Sequence, residues 1–227
     1  MRTGLCSRRI SGTCSSSARR HGDERSHQFA FVLVCQRAGQ VANPMTAPDE
    51  LQLRFFRSLF DESDRGSVLL VAASLDGTLE QLHRMQMEAV ASPPNKFLDG
   101  LFATHAPLST FSARIQLGYG YGLVGREDFL DLELLRKLRN DAAHSPAEFS
   151  FKNSETRTRV FALKAPKRIH ARFPLLPLTL TELAVVESPS DDDKTARMYL
   201  ALSALCLTMA LLTRITALLK REVAEPY

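Results

Sequence analysis

The chain has no tryptophan and only four cysteines, none of them in a pair at the two-residue spacing of a zinc ribbon or redox site. Cys6, Cys14, Cys35 and Cys206 also lack histidines at ligand spacing, so no disulfide framework, structural metal or cofactor is expected. Cys206 lies inside an apolar helical pattern and reads as a buried thiol in a reducing cytoplasm. A long unbroken hydrophobic run is missing too. The most apolar stretch, 198–219, carries Ser203, Thr208, Thr213, Arg214 and Thr216. Its run before Arg214 is 16 residues, where a membrane span needs about 20. It therefore reads as a core helix, and no membrane partner is expected.

A basic body is the next absence. Residues 1–44 hold Arg2, Arg8, Arg9, Arg19, Arg20, Arg25 and Arg37 against only Asp23 and Glu24. Removing these from the chain's 29 basic and 25 acidic residues leaves 22 against 23. The formal charge of +4 thus belongs to the N-terminal segment, and the body lacks the lysine and arginine excess by which duplex DNA binders neutralise phosphates. The segment is rich in serine and arginine and has no hydrophobic period. Its charged region is too long, and the apolar run at 29–35 too short, for a signal peptide. Residues 1–44 are read as a disordered extension or an overcalled start ahead of Met45, and 45–227 as one helical domain.

Within the body, apolar spacing of three and four predicts helices. Leu51, Phe55, Phe56, Leu59 and Phe60 mark a first stripe. A second helix begins near Asp64 or Ser67 and carries Leu70, Ala73, Leu75, Leu79, Leu82 and Met85, with Gly77 as a sign of close packing. It should end at Ser92-Pro93-Pro94. Ser109 or Thr110 caps a helix with Phe111, Ile115 and Leu117, which the glycines from 118 to 125 end. The next helix closes at Ser145-Pro146. Residues 149–190 are broken by prolines and read as irregular chain with room for one hairpin, before a final helix led by the aspartates at 191–193. The expected fold is all-α: a single helical bundle with an irregular loop or short hairpin insertion.

Several motifs compete for a function. Gly120-Tyr121-Gly122-Leu123-Val124-Gly125 has the spacing of a dinucleotide fingerprint, but it follows a helical pattern with no surrounding strand-helix-strand unit, so it reads as helix termination. Glu80, His83 and Arg84 could face one site, though a solvated helix face is the simpler reading. Lys164, Lys167, Arg168, His170 and Arg172 form a local basic patch that reads as a solvated loop. The remaining candidates are Arg139, Asn140 and His144. Arginine can grip phosphate through two hydrogen bonds, histidine can move protons near neutral pH, and Asn140, four residues before His144, could orient its ring. Five helical positions separate Arg139 from His144 by about 140° around the axis, so one chain does not put both on one face. The alternative is structural: Arg139 pairs with an acidic helix, while Asn140 and His144 cap the helix end.

Residues 98–145, LDGLFATHAPLSTFSARIQLGYGYGLVGREDFLDLELLRKLRNDAAHS, resemble the core signature of the mannitol operon repressor family. Pro107-Leu108-Ser109-Thr110, Ser112-Ala113-Arg114-Ile115, Gly122-Leu123, Leu138-Arg139-Asn140 and Ala143-His144 carry the likeness, which continues into Phe149-Ser150-Phe151. The GYGYG run departs from the family by its extra glycine. The resemblance implies a helical, cytoplasmic, non-enzymatic transcriptional regulator acting through protein or weak nucleic-acid contacts, with a homodimer as its expected state. Arg139-Asn140 with His144 also resembles the RNxxxH motif of HEPN domains. That likeness implies the rival function, a metal-independent ribonuclease or toxin using Arg139, Asn140 and His144 at a dimer cleft.

Overall fold

Ser63 starts the first long helix. Its hydroxyl accepts the Gly66 N–H at 3.0 Å, Asp64 adds negative charge where the helix dipole favours it, and α1 runs over Asp64–Ala91. Ser92 then turns left-handed, with φ 42°, ahead of Pro93-Pro94. The computed structural model describes residues 55, 58–145, 149–168, 190 and 192–224. The expectations for residues 1–44 and for most of the first stripe lie outside these. Of that stripe, Leu59 is buried, whereas Phe60 is 42% exposed.

Five further helices follow among the described residues: α2 (Asn95–Phe102), α3 (Phe111–Gly120), α4 (Arg126–His144), α5 (Ser154–Phe161) and α6 (Asp193–Ala224), with a 3-10 turn at Pro166–Arg168 before the last. Thr110 caps α3 by accepting the Ala113 N–H at 3.2 Å. Gly122, at φ 70°, makes the left-handed turn that ends it. The glycine-rich run is therefore a helix end and a start, since Gly125 is the N-cap of α4. Asn153 caps α5 through the Glu155 N–H at 2.8 Å. This helix corrects part of the irregular reading of 149–190: eight mostly polar residues offer too few apolar positions to show a period. The hairpin allowed for there is not found up to residue 168, and 169–189 lie outside the described residues.

The core is the seam between α1 and α6, the most extensive helix pairing. α1 contributes Val68, Val71, Ala72, Leu75, Leu79 and Leu82, and α6 contributes Ala196, Tyr199, Leu200, Ala204, Leu207 and Leu211. Leu132, Leu135 and Leu138 bring α4 onto the same cluster. Ala73, expected inside, is exposed. By length and composition, Asp193–Leu219 would suffice for a membrane span, with mean hydropathy 1.9, yet half of that window is buried inside the protein. From Tyr199 to Leu211 nearly every residue, Cys206 among them, is buried, as in a helix that is apolar all round.

Gly77 does not mark close packing, because nothing lies within 4 Å of a Cβ built there. Gly118 does. A Cβ on it would sit 2.8 Å from Val124 Cγ2, so glycine lets the end of α3 close on the start of α4.

Polar clamps fix the ends. Asp64 accepts the Phe151 N–H at 2.8 Å and the Ser150 hydroxyl at 2.9 Å, and pairs with Arg197, which also donates to the Phe60 and Glu62 carbonyls. Burial pushes the Asp64 carboxyl up, but these donors more than offset it and leave it below its ordinary value. Arg168 turns inward to Glu127, Asp128 and Asp131 at 3.0–3.2 Å, which corrects its reading as part of a solvated basic loop. Lys164 and Lys167 are exposed.

Candidate functional site

Helix α4 stops at His144 because Pro146 denies Ser145 a helical conformation, and Ser145 is extended, with φ −65° and ψ 123°. Arg65 on α1 donates to the Ser145 carbonyl at 3.2 Å. After the return at Phe149, Arg157 donates to the carbonyls of Phe151 and Lys152 at 3.0 and 2.7 Å. The C-terminal turn of α4 and the first turns of α5 are thereby held beside each other.

A cleft of about 450 Å³ opens between them. Asn140, Asp141 and His144 line it from α4, Asn153, Glu155, Thr156 and Arg159 from α5, and Leu138 and Phe149 supply its apolar part. Arg159 joins the two helices: it pairs with Asp141 and, at 2.6 Å, with Glu155. Two carboxylates thus surround one guanidinium. Asn140 and His144, singled out from sequence, share this cleft. Arg139 does not line it; its exposed guanidinium donates to Asn140 Oδ1 at 3.1 Å. Asn153, Thr156 and Arg159 went unnoticed in the sequence, where the only signal was the Asn153 cap ahead of Glu155, and Phe149 entered only through the family likeness.

A second polar locus lies between α1 and α3. Arg114, on α3, is nearly buried and gives every face of its guanidinium a partner. Nε donates to the Leu108 carbonyl at 2.9 Å, and the other nitrogens reach Asp76 at 2.7 Å and Glu80 at 2.8 Å. The guanidinium lies 5.4 Å from the Phe102 ring centre. Arg84 lies over the same ring at 4.6 Å and links Glu80 to Asp99. His83 is 1% exposed, and its Nε2–H donates to the Arg114 carbonyl at 2.8 Å. Burial holds its imidazole below the usual histidine value, and the nearby guanidinium adds to this. Burial likewise raises the Asp76 carboxyl, which Arg114 partly counteracts. Glu80, His83 and Arg84 are therefore parts of a helix seam, neither a solvated face nor an open site. Among the described residues no group of three His, Cys, Asp or Glu side chains is placed to hold a metal ion.

The family profile described as Mannitol repressor matches residues 65–211, more than half of the chain. The chain belongs to the mannitol repressor family. The match takes in both loci, from Arg65 to Arg159. The mannitol operon repressors of Escherichia coli strain K12 and of Escherichia coli O6:H1 strain CFT073 are each 32% identical over 89 residues, which is 39% of this chain and 44% of theirs. The aligned segment thus spans less than half the length of these curated mannitol repressors. A chain in the X-ray structure of the MtlR-HPr complex from Escherichia coli superposes with a TM-score of 0.52 at 19% identity, covering 72% of this chain and 99% of its own. That likeness shows the helical fold of this chain.

Proposed function

We propose that the chain is a non-enzymatic transcriptional regulator of the mannitol repressor type, acting in the cytoplasm by binding a protein partner. The observation that carries this reading is the family match over 65–211. The fold relative was solved as a complex with HPr, which favours a protein contact, and the near-neutral body disfavours a duplex DNA contact. The test is a titration of the full chain with an HPr-type carrier protein beside a gel shift with duplex DNA. Saturable protein binding without a salt-dependent DNA shift is expected. Sequence-specific DNA binding with no protein contact would sink the reading.

The ribonuclease reading has one observation in its favour, the shared cleft of Asn140 and His144. Against it stand the position of Arg139 outside the lining and the two carboxylates that would repel an RNA backbone. It also requires a second copy, since one chain offers one such histidine. Light scattering reports whether the chain dimerises, and a labelled-RNA digest beside His144→Ala reports cleavage. A dimer whose cutting disappears with His144 would replace the regulator reading.

A further inference from the structure

We propose that a seam on α4 pairs with the same seam of a second copy of this chain, antiparallel and about a two-fold axis. α4 buries Asp131, Leu132, Leu135, Leu138 and Ala142 on its core side. Glu127, Leu130, Leu134 and Lys137 lie outside that set, at steps of three, four and three residues. This is the spacing by which a helix keeps one stripe against a partner helix. Leu130 is 49% exposed, and Leu134 is only partly buried. Tyr119, 43% exposed, stacks on Phe129 at 4.4 Å beside them and widens the apolar face.

The order of the seam selects its occupant. The spacing reads the same in both directions, as a two-fold axis requires. Set level with Leu132, that axis brings Leu130 against Leu134 of the second copy and Glu127 against Lys137 of the second copy, each contact occurring twice. The charges agree with this direction alone. A parallel copy sets glutamate on glutamate and lysine on lysine, whereas an antiparallel one forms two opposite-charge pairs. Within one copy Glu127 and Lys137 stand about 15 Å apart along the helix and cannot meet. Lys137 is exposed and has no ion pair among the described residues. The Glu127 side chain is 65% exposed and holds Arg168 through Oε2 at 3.2 Å, and a carboxylate has room for a further donor. On the flank, Glu133 and Arg136 neutralise each other at 2.8 Å.

The test uses the full chain with no partner protein, so its failure leaves the partner reading untouched. Sedimentation velocity over a concentration series should show a reversible monomer–dimer equilibrium. Leu130→Ser and Lys137→Glu should each weaken it by more than about tenfold, with an unchanged circular dichroism spectrum. Glu127→Lys should do the same; because it also releases Arg168, its melting curve is recorded beside it. The deciding sample mixes Glu127→Lys with Lys137→Glu. Each variant repels its own copies, but the mixed pair restores both opposite-charge contacts and should dimerise with close to wild-type affinity. If Glu127→Lys does not fold, Leu130→Ser and Lys137→Glu decide alone. A wild type that stays monomeric throughout the series, wild-type affinity in both Leu130→Ser and Lys137→Glu, or folded charge variants whose mixture stays monomeric overturns the proposal.

Discussion

The two polar loci use the same residue types to opposite ends. At the seam of α1 and α3, Arg114, Asp76, Glu80 and His83 are packed against one another and against a backbone carbonyl. At the cleft of α4 and α5, Asn140, His144, Asn153 and Thr156 face solvent with bonding capacity left over. The difference teaches that a buried, fully partnered polar group holds the fold, while an exposed one with hydrogen bonds still to make contributes little to it. Sequence singled out Asn140 and His144 and set Glu80, His83 and Arg84 aside as a solvated helix face.

The sharpest way to break this comparison is Arg114→Ala. It leaves Asp76 without its cation and Glu80 with Arg84 alone, and should cost about 3 kcal/mol, read as a fall in the urea midpoint with unchanged slope. A loss below about 1 kcal/mol would mean that the hub is no more structural than the cleft. Gly118→Ala comes next. The new methyl would press on Val124, and overpacking of this kind costs roughly 1–3 kcal/mol; a melting temperature equal to the wild type would reject the close approach.

The third test is pH. Burial holds His83 below its free value of 6.5, so below that value the unfolded chain binds the extra proton. Stability is therefore full above pH 6.5 and falls as pH drops beneath it, by at most about 1.4 kcal/mol per pH unit. Asp64 and Asp192, the latter drawn down to about 2 by the Ser190 and Thr195 hydrogen bonds, act only in a more acidic range. Denaturation at pH 7.5 and 5.5 should show a flatter dependence in His83→Gln than in the wild type. Equal dependences would remove His83 from the account. The smallest effect belongs to the exposed end of α4: Arg139→Ala and His144→Ala, both exposed, should change stability by less than about 0.5 kcal/mol. A larger loss in either would turn the motif into a fold element.

Helix ends were the most legible part of the fold, because capping and proline act locally. The Ser92-Pro93-Pro94 and Ser145-Pro146 stops and the Thr110 cap stand where sequence predicts them. The apolar faces of α1 and α6 were legible through their spacing. Close packing was not: Gly77 and Gly118 look alike in sequence, and only the approach of Val124 tells them apart. Arg168 misled for the same reason, since its partners lie 37 to 41 residues back along the chain. The cleft was half legible. Asn140 and His144 stood out as a motif on one helix, while Arg159 and Asn153 belong to the next helix and its cap, which periodicity does not bring beside them.

The pairing of α1 with α6 also bears on how the domain is made. The Arg197 to Asp64 clamp joins residues 133 positions apart, with α2 to α5 all in between. The part of α1's apolar face that α6 covers stays bare until that helix has been synthesised, whereas α4 packs against α1 earlier. Nascent chains halted before Asp193 should therefore be protease-sensitive and chaperone-bound, and the domain closes like a clasp whose second half is delivered last.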